Sequence, residues 1–348
     1  MTIRNIVSAL LLAVVIVASA QADTIALNPK HPDRYVVVKG DTLWDISARF
    51  LRDPWKWPDV WEMNPQIKNP HLIYPGDVIT LTFRDGKPVL KVERAPAKPP
   101  VVKLAPHVRV TTLERPVPTV PTDAIEQFLL KAQVISPEES KNSGYILSME
   151  EERLIGGTGN KLYARNIKQH VGGRFEVVRL GKVYRNPGAD KEDVLGYEAL
   201  HIADVRVDAY GDPSTLTIVK SSREALIGDR LLPAQDEGAI NYNFLPSAPD
   251  KPVEGKIIAL FDAVSRVGQF RVVVLNQGLN QGLHPGHVLA IYRAGDVVRD
   301  TVGDGDNVTL PDTRSGVLMV FRVFAKVSYA LVMKATRDVR LYDMVRNP

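Results

Sequence analysis

Residues 35–50 read YVVVKGDTLWDISARF, residues 51–70 read LRDPWKWPDVWEMNPQIKNP, and residues 71–81 read HLIYPGDVITL. Tyr35, Val36, Val37 and Val38 favour a strand. Gly40 breaks it, and Asp41 or Thr42 is placed to cap the helix that follows. Leu43, Ile46, Ser47 and Phe50 share one face of that helix, which predicts packing against a sheet. Asp53-Pro54 ends it. Pro58 suits the first turn of a second helix carrying Val60, Trp61 and Met63, and Asn64-Pro65 stops it. A loop over 66–74 leads to the turn Pro75-Gly76-Asp77, and residues 78–81 form a second strand beside the first. The prediction is a small α+β unit of βααβ order.

The Gly-Asp-Thr helix start, the Asn-Pro stop and the Pro-Gly-Asp turn, in that order between two apolar strands, resemble a LysM domain. The resemblance implies a carbohydrate-binding module over 34–83, with peptidoglycan, an N-acetylglucosamine-containing glycan, as its partner. It also implies a shallow groove between two loops. Gly40, Asp41, Thr42, Leu43 and Trp44 lie on one side of it, and Asn69, Pro70, His71, Leu72, Ile73 and Tyr74 on the other. Backbone amides and a hydroxyl would bond N-acetyl groups there, while apolar side chains cover the sugar rings. All four tryptophans fall in this stretch, at 44, 55, 57 and 61. They read either as a sugar-stacking platform or as the core of a tiny domain. Aromatics dominate small-core energetics, which favours the core reading, with Trp44 beside the groove as the expected exception.

The chain begins MTIRNIVSALLLAVVIVASAQAD. Arg4, an apolar run over 6–18 and the small residues Ala20 and Ala22 read as a signal peptide over 1–22. The run is too short to span a ~30 Å hydrocarbon core, so no membrane span is expected. The expectation is a mature chain starting near Asp23, in the periplasm and associated with the cell wall or outer membrane. With no cysteine in 348 residues, neither a lipidated N-terminus nor a disulfide is available, and stability must come from packed cores. Lys and Arg total 44 against 40 Asp and Glu, intermixed and without a basic block, so no nucleic-acid partner is expected.

Eight prolines between 84 and 122 predict a semi-rigid spacer, with strand-like residues at 89–93 and 101–110 that would add to a neighbouring sheet. A short helix is expected from Asp123, with Ile125, Phe128 and Leu129 as its apolar face. Beyond Tyr145, short Val/Ile/Leu/Tyr runs alternate with Gly, Asn, Asp and Pro turns, predicting mainly-β domains over 123–240 and 250–348. The stretch LTIVKSSREALIGDRLLP (216–233) parallels LVMKATRDVRLYDMVRNP (331–348). Lys220, Arg223 and Asp229 match Lys334, Arg337 and Asp343 at a constant offset of 114. GRFEVVRLGKVYR (173–185) parallels GHVLAIYR (286–293), with Tyr184-Arg185 aligned on Tyr292-Arg293. Two related small β domains follow, each a small barrel or SH3-like sandwich.

From Val253 onward, the Asn276-Gln277-Gly278 turn, the Gly-His-Val-Leu run at 286–289 and the closing Asp343-Met344-Val345 resemble the C-terminal domain of FlgT-type flagellar assembly proteins. Leader, LysM-like module and FlgT-like end together resemble the LysM-containing type IV pilus secretin-associated proteins. That resemblance implies an outer-membrane secretin as partner.

Wall hydrolases also carry such modules, so a peptidoglycan-remodelling enzyme, or an activator of one, is the alternative. No cysteine nucleophile exists, and of seven histidines only His284 and His287 are close in sequence, across a turn unsuited to a metal. Glu139-Ser140 lacks the helical context of a transglycosylase. The run 156–161 (GGTGNK) lacks the Lys-Ser/Thr pair of a phosphate loop and reads as a hairpin turn. The expectation is a non-catalytic scaffold without a cofactor.

Overall fold

The computed structural model describes residues 25–61, 73–93, 117–130, 132–168, 173–188, 190, 193–234, 244–261, 265–303 and 305–348. The expected leader, the groove positions Asn69, Pro70, His71 and Leu72, and residues 94–116 of the spacer lie outside them. The chain divides into two compact units at Pro116/Val117.

In the first unit, β1 (Arg34–Val36), α1 (Leu43–Phe50), a 3-10 turn (Pro54–Lys56), α2 (Trp57–Trp61) and β2 (Val78–Arg84) follow the predicted order. A third strand, β3 (Lys87–Glu93), pairs antiparallel with β2 along its whole length. The unit is therefore βααββ rather than βααβ: the strand-like run at 89–93 does add to a neighbouring sheet, and the boundary expected at 83/84 falls inside that sheet. Asp85 and Gly86 both take positive φ, the two-residue hairpin turn that joins β2 to β3. Pro88 is tolerated because β3 is an edge strand. Val89 and Leu90 are buried in the unit's core with Phe50, Trp57, Val60 and Ile79. Residues ahead of β1 also pack: Asn28 donates from its backbone to the Phe50 carbonyl (2.9 Å) and from Nδ2 to the Ala48 carbonyl (3.0 Å), closing the end of α1.

The second unit starts inside the expected spacer. Val117, Thr119 and Val120 are buried, and α3 (Thr122–Leu130) follows with Ile125 and Phe128 turned inward. Next come β4 (Ala132–Ile135), the short helix α4 (Pro137–Asn142), and strands β5 (Gly144–Met149), β6 (Ile155–Gly156), β7 (Lys161–Arg165), β8 (Arg174–Arg185), β9 (Val194–Ala209), β10 (Ser214–Ser221), β11 (Ala225–Leu226) and β12 (Arg230–Pro233). The order β10-β7-β5-β12-β8-β9, with β9 also pairing β10, closes a six-stranded ring, and β4 adds to the free edge of β9. A second set comprises β13 (Glu254–Leu260), β14 (Arg266–Val267), β15 (Val272–Leu275), β16 (Val288–Arg293), β17 (Val297–Arg299), β18 (Asn307–Thr309), β19 (Thr313–Val323), β20 (Ser328–Ala335), β21 (Val339–Arg340) and β22 (Met344–Arg346). Its barrel closes as β13-β15-β20-β19-β16-β22.

These rings are the same ring twice. If β5, β7, β8, β9, β10 and β12 are matched to β13, β15, β16, β19, β20 and β22, both close in identical order. The small pair β6–β11 has its counterpart in β14–β21. Irregularities coincide too. The ladder breaks between Val177 and Val178 in β8–β9, and between Ile291 and Tyr292 in β16–β19. At that bulge the Ile202 carbonyl accepts from the amides of Ser222 and Arg223, and the Ser315 carbonyl from those of Thr336 and Arg337. The Asp229 carboxylate accepts from the Leu226 amide at 2.8 Å, and Asp343 from the Arg340 amide at 2.9 Å. The ladders correct one detail. Val178 faces Arg230 while Tyr292 faces Met344, so Arg293 corresponds to Arg179, at the same 114-residue offset, and not to Arg185. The hydrophobic pattern of a strand repeats every two residues, so a six-residue slip preserves it and leaves sequence similarity blind to the error.

The long β8–β9 hairpin extends past its own barrel onto the second. Tyr184 is buried with its hydroxyl 3.4 Å from that of Tyr329, and Asn276 Nδ2 donates to Asn186 Oδ1 at 2.8 Å. Burial pushes both tyrosine hydroxyls up, Tyr329 to about 12. Phe128 of α3 meets Phe261 edge-on at 4.6 Å, with Phe321 and Tyr329 within 6.5 Å. Arg322 Nη1 donates to the carbonyls of Phe128 (2.9 Å) and Leu129 (2.7 Å), capping the end of α3.

Just before β16, His287 is buried and its Nδ1 accepts from the His284 amide at 3.2 Å. Burial, and secondarily the neighbouring His284, hold its imidazole below the usual value of about 6.5, while Asp250 opposes them. The unfolded chain thus binds this proton more readily than the folded one. The contribution to stability is intact above about pH 6.5 and is lost as pH falls below it. Thermal melts at pH 7.5, 6.5 and 5.5 are expected to show a Tm that declines through this window. His287→Gln should flatten the decline; an unchanged slope in that variant would count against His287 as its source.

Candidate functional site

The two loops expected to form the groove are brought together by the continuation of the β1–β2 ladder. The Val37 amide donates to the Asp77 carbonyl at 2.9 Å, and the Gly76 amide to the Val37 carbonyl at 2.8 Å. Thr42 is the N-cap of α1: its Oγ1 accepts from the Asp45 amide at 3.1 Å and donates to Asp45 Oδ2 at 2.7 Å. Asp41 has a different task. Its Oδ2 accepts from the Tyr35 hydroxyl and the Val38 amide, both at 2.9 Å, locking the loop ahead of the helix. Gly40 sits at the loop tip with φ +98°, where a Cβ would meet no neighbour within 4 Å, so backbone conformation rather than space calls for glycine. Across from it, the Tyr74 amide donates to Asp77 Oδ2 at 3.0 Å and closes the Pro75-Gly76 turn.

Exposure sorts the expected groove residues into two groups. Gly40 is exposed, and Asp41 and Tyr74 are half-buried, so these can meet a ligand. Leu43, Trp44 and Ile73 are buried, at 2%, 3% and 0% exposure, and Thr42 is buried under its own cap. Trp44 is therefore no exception among the tryptophans. It extends the buried face of α1 formed by Leu43, Ile46, Ser47 and Phe50. The partly exposed indole is Trp55, with the Lys56 ammonium 5.3 Å from its ring centre. One feature at the loop was not anticipated: the Arg49 guanidinium lies over the Tyr35 ring at 4.3 Å. Burial and the Asp41 carboxylate raise the Tyr35 hydroxyl above its ordinary value. The triad depends on how β1 is set against α1, and local spacing carries no signal for it. The amides named above are spent within the module, so what these groups present beside the turn is the exposed Gly40 loop, a carboxylate, a phenol and a guanidinium, a set suited to bonding a neutral polar ligand.

Elsewhere, the residues weighed for catalysis have structural employment. The Glu139 carboxylate accepts from the Ser136 amide at 2.8 Å in a capping box on α4. His284 and His287 stand at right angles across their turn, ring centres 5.4 Å apart. The Gly157 amide donates to Asn160 Oδ1 in the turn between β6 and β7. Among the described residues, no group of three or more His, Asp or Glu could hold a metal ion, and no helix is long and apolar enough to cross a membrane.

Residues 35–82 match the LysM domain family. Over 60 residues the chain is 37% identical to an uncharacterized protein, YqbP, of Bacillus subtilis (strain 168). That stretch is 14% of this chain and 27% of the relative, so the chain spans about a quarter of the protein it matches. Residues 35–82 are thus a LysM module, a class that points to a glycan partner, and a mostly β region with barrel-like sheets follows.

Proposed function

We propose that this protein is a non-catalytic scaffold of the periplasm that holds peptidoglycan through its LysM module and an outer-membrane assembly through its paired barrels. The observation that carries the reading is the LysM match over 35–82, with an exposed Gly40 loop set against the Tyr74–Gly76 turn. The glycan is one containing N-acetylglucosamine, whose acetamido groups the exposed Gly40 loop and the Asp41 carboxylate would bond. The architecture-level resemblance to secretin-associated proteins points to a type IV pilus secretin as the assembly. Support from the β region is indirect, since one fold hosts many functions.

Co-sedimentation of the full chain with purified sacculi tests the glycan half. Retention is expected for the intact protein and loss of it for a variant lacking residues 34–82; equal retention would overturn the reading. Zymography on peptidoglycan tests the other half, a lytic band from the purified protein being the result that would replace a scaffold by an enzyme. Detachment of secretin complexes from the wall on deletion of the gene is the expected cellular result.

A further inference from the structure

The duplication makes each repeat a control for the other. In the first, the outer half of the β8–β9 hairpin is engaged through Tyr184 and through one edge, while Val183 stays 37% exposed. Tyr184 is buried at 2% exposure against the second barrel, and residues 197–200 of β9 take β4 as an added strand. Its counterpart in the second repeat is the hairpin β17–β18; on that register the β4-paired stretch of β9 falls at about 309–312, where Pro311 removes a donor, and the open edge is the adjoining stretch Asn307–Thr309. Val183 faces Tyr197 and Tyr184 faces Gly196 in one; Val297 faces Thr309 and Val298 faces Val308 in the other. There Val297, Val298, Val308 and Leu310 are 63%, 40%, 47% and 44% exposed. Among the described residues β18 pairs only with β17, leaving its outer edge open.

We infer that this hairpin is a docking arm, and that a protein partner adds a short extended strand, alternating apolar with Lys or Arg side chains, along the outer edge of β18. The inference goes beyond the glycan-binding reading and stands whether or not the partner is a secretin.

Three observations define the occupant. The first is hydrogen-bonding direction. The Asp300 amide donates to the Asp306 carbonyl and the Leu310 amide to the Asp296 carbonyl, so residues 306, 308 and 310 spend their backbone groups on β17. Asn307 and Thr309 then turn theirs outward, as the alternation of an antiparallel ladder requires. Pro311 lacks an N–H and closes the edge, which limits the added strand to about the four residues of β4. The second is charge. Residues 294–312 hold five aspartates against one arginine, a formal charge of −4. By strand alternation Asp296 and Asp306 flank Val298, Val308 and Leu310 on one face. An apolar, basic strand complements that face, and a second copy of the arm would repel it. The third is order. Asp300 Oδ1 accepts from the amides of Val302 (2.9 Å) and Gly303 (2.8 Å), and Arg299 Nε donates to the Gly305 carbonyl at 3.1 Å. At the base a Cβ on Gly295 would fall 1.6 Å from the Leu310 carbonyl oxygen, so only glycine lets the strands meet. Such an arm is preformed for strand addition.

The probe is a fluorescein-labelled synthetic octapeptide of alternating valine and lysine, titrated by anisotropy against the full chain at low salt, with a valine–glutamate octapeptide as control. Saturable binding of the basic peptide is expected, with the acidic one at least about tenfold weaker, as two opposed charge pairs would give. Thr309→Pro removes an outward amide while sparing the β17 ladder, and should weaken binding about tenfold without changing the Tm. Asp296→Lys with Asp306→Lys should reverse the preference. Slowed hydrogen exchange at Asn307 and Thr309 on adding the peptide would place the strand. Unaltered binding to Thr309→Pro, or preference for neither peptide, would overturn the inference. So would a concentration-dependent dimer in sedimentation that Thr309→Pro abolishes, since the edge would then serve a second copy.

Discussion

Truncation of Trp57 to alanine is expected to unfold the LysM module and release the protein from sacculi together. Trp57 is 1% exposed, and its ring meets Trp61 edge-on, with centroids 6.3 Å apart and planes at 89°. A tryptophan-to-alanine change in a core costs about 3–5 kcal/mol through lost burial and the cavity left behind. A domain of roughly 60 residues buries only about 60% of the surface its unfolded chain exposes, less than a larger domain does, and has little stability in reserve. The loss therefore consumes most or all of it, with no disulfide as support in a cysteine-free chain. Intrinsic fluorescence and near-UV circular dichroism should report loss of the packed indoles, and co-sedimentation should fall to the level of the chain lacking 34–82. Trp55→Ala is the comparison: that side chain is half-exposed and should leave the fold intact, so loss of retention there would assign it to the glycan itself. Native-like fluorescence and full retention in Trp57→Ala would refute this account of the core.

The order of elements in the first unit was legible because each boundary carries its own chemistry: glycine and threonine before α1, proline at the turns, valine in the strands. What failed was assignment by composition. The strand over 89–93 can be read from its apolar residues, but the proline-rich composition places the domain boundary before it, although Asp85-Gly86 between two apolar runs is a strong hairpin signal. Trp44 departs from the sequence expectation because proximity to a loop in sequence does not fix the direction of a side chain on a helix. In the site, the caps and the turn could be read from local spacing. The Tyr35–Asp41–Arg49 cluster could not, since it depends on tertiary placement. The repeat was visible at its C-terminal ends, where Asp229 and Asp343 close equivalent turns. Through β8 and β16 only the ladders could set the register. The addition of β4 to β9 had no local signal either, being a long-range pairing of four residues.

A second large effect is expected at the junction of the two barrels. Phe128 is 8% exposed and makes edge contacts with three rings of the second barrel: Phe261 at 4.6 Å, Tyr329 at 6.3 Å and Phe321 at 6.5 Å. Phe128→Ala removes those contacts and opens a cavity in an aromatic cluster that joins α3 to the second barrel, for a loss of about 3–5 kcal/mol. In a unit of this size each kcal/mol lowers Tm by roughly 2–4 °C, so a fall of roughly 10 °C is expected by calorimetry. The form of the transition is the sharper test. Each barrel closes its own ring and has its own core, and among the contacts that couple them are this cluster, the Tyr184–Tyr329 and Asn186–Asn276 contacts and the Arg322 cap on α3. Weakening the cluster should split one endotherm into two, the first barrel melting earlier because α3, whose last carbonyls Arg322 holds, leads directly into β4. Lys182→Ala, which removes an exposed ammonium 5.7 Å from the Phe261 ring, should change stability by no more than about 1 kcal/mol. A single, unshifted endotherm in Phe128→Ala would mean that the barrels are coupled through the polar contacts alone. Apart from the buried Tyr184–Tyr329 pair, whose hydroxyls stand a long 3.4 Å apart, those contacts are only part-buried, whereas the aromatic rings exclude water, and that difference is why the larger effect is assigned to Phe128.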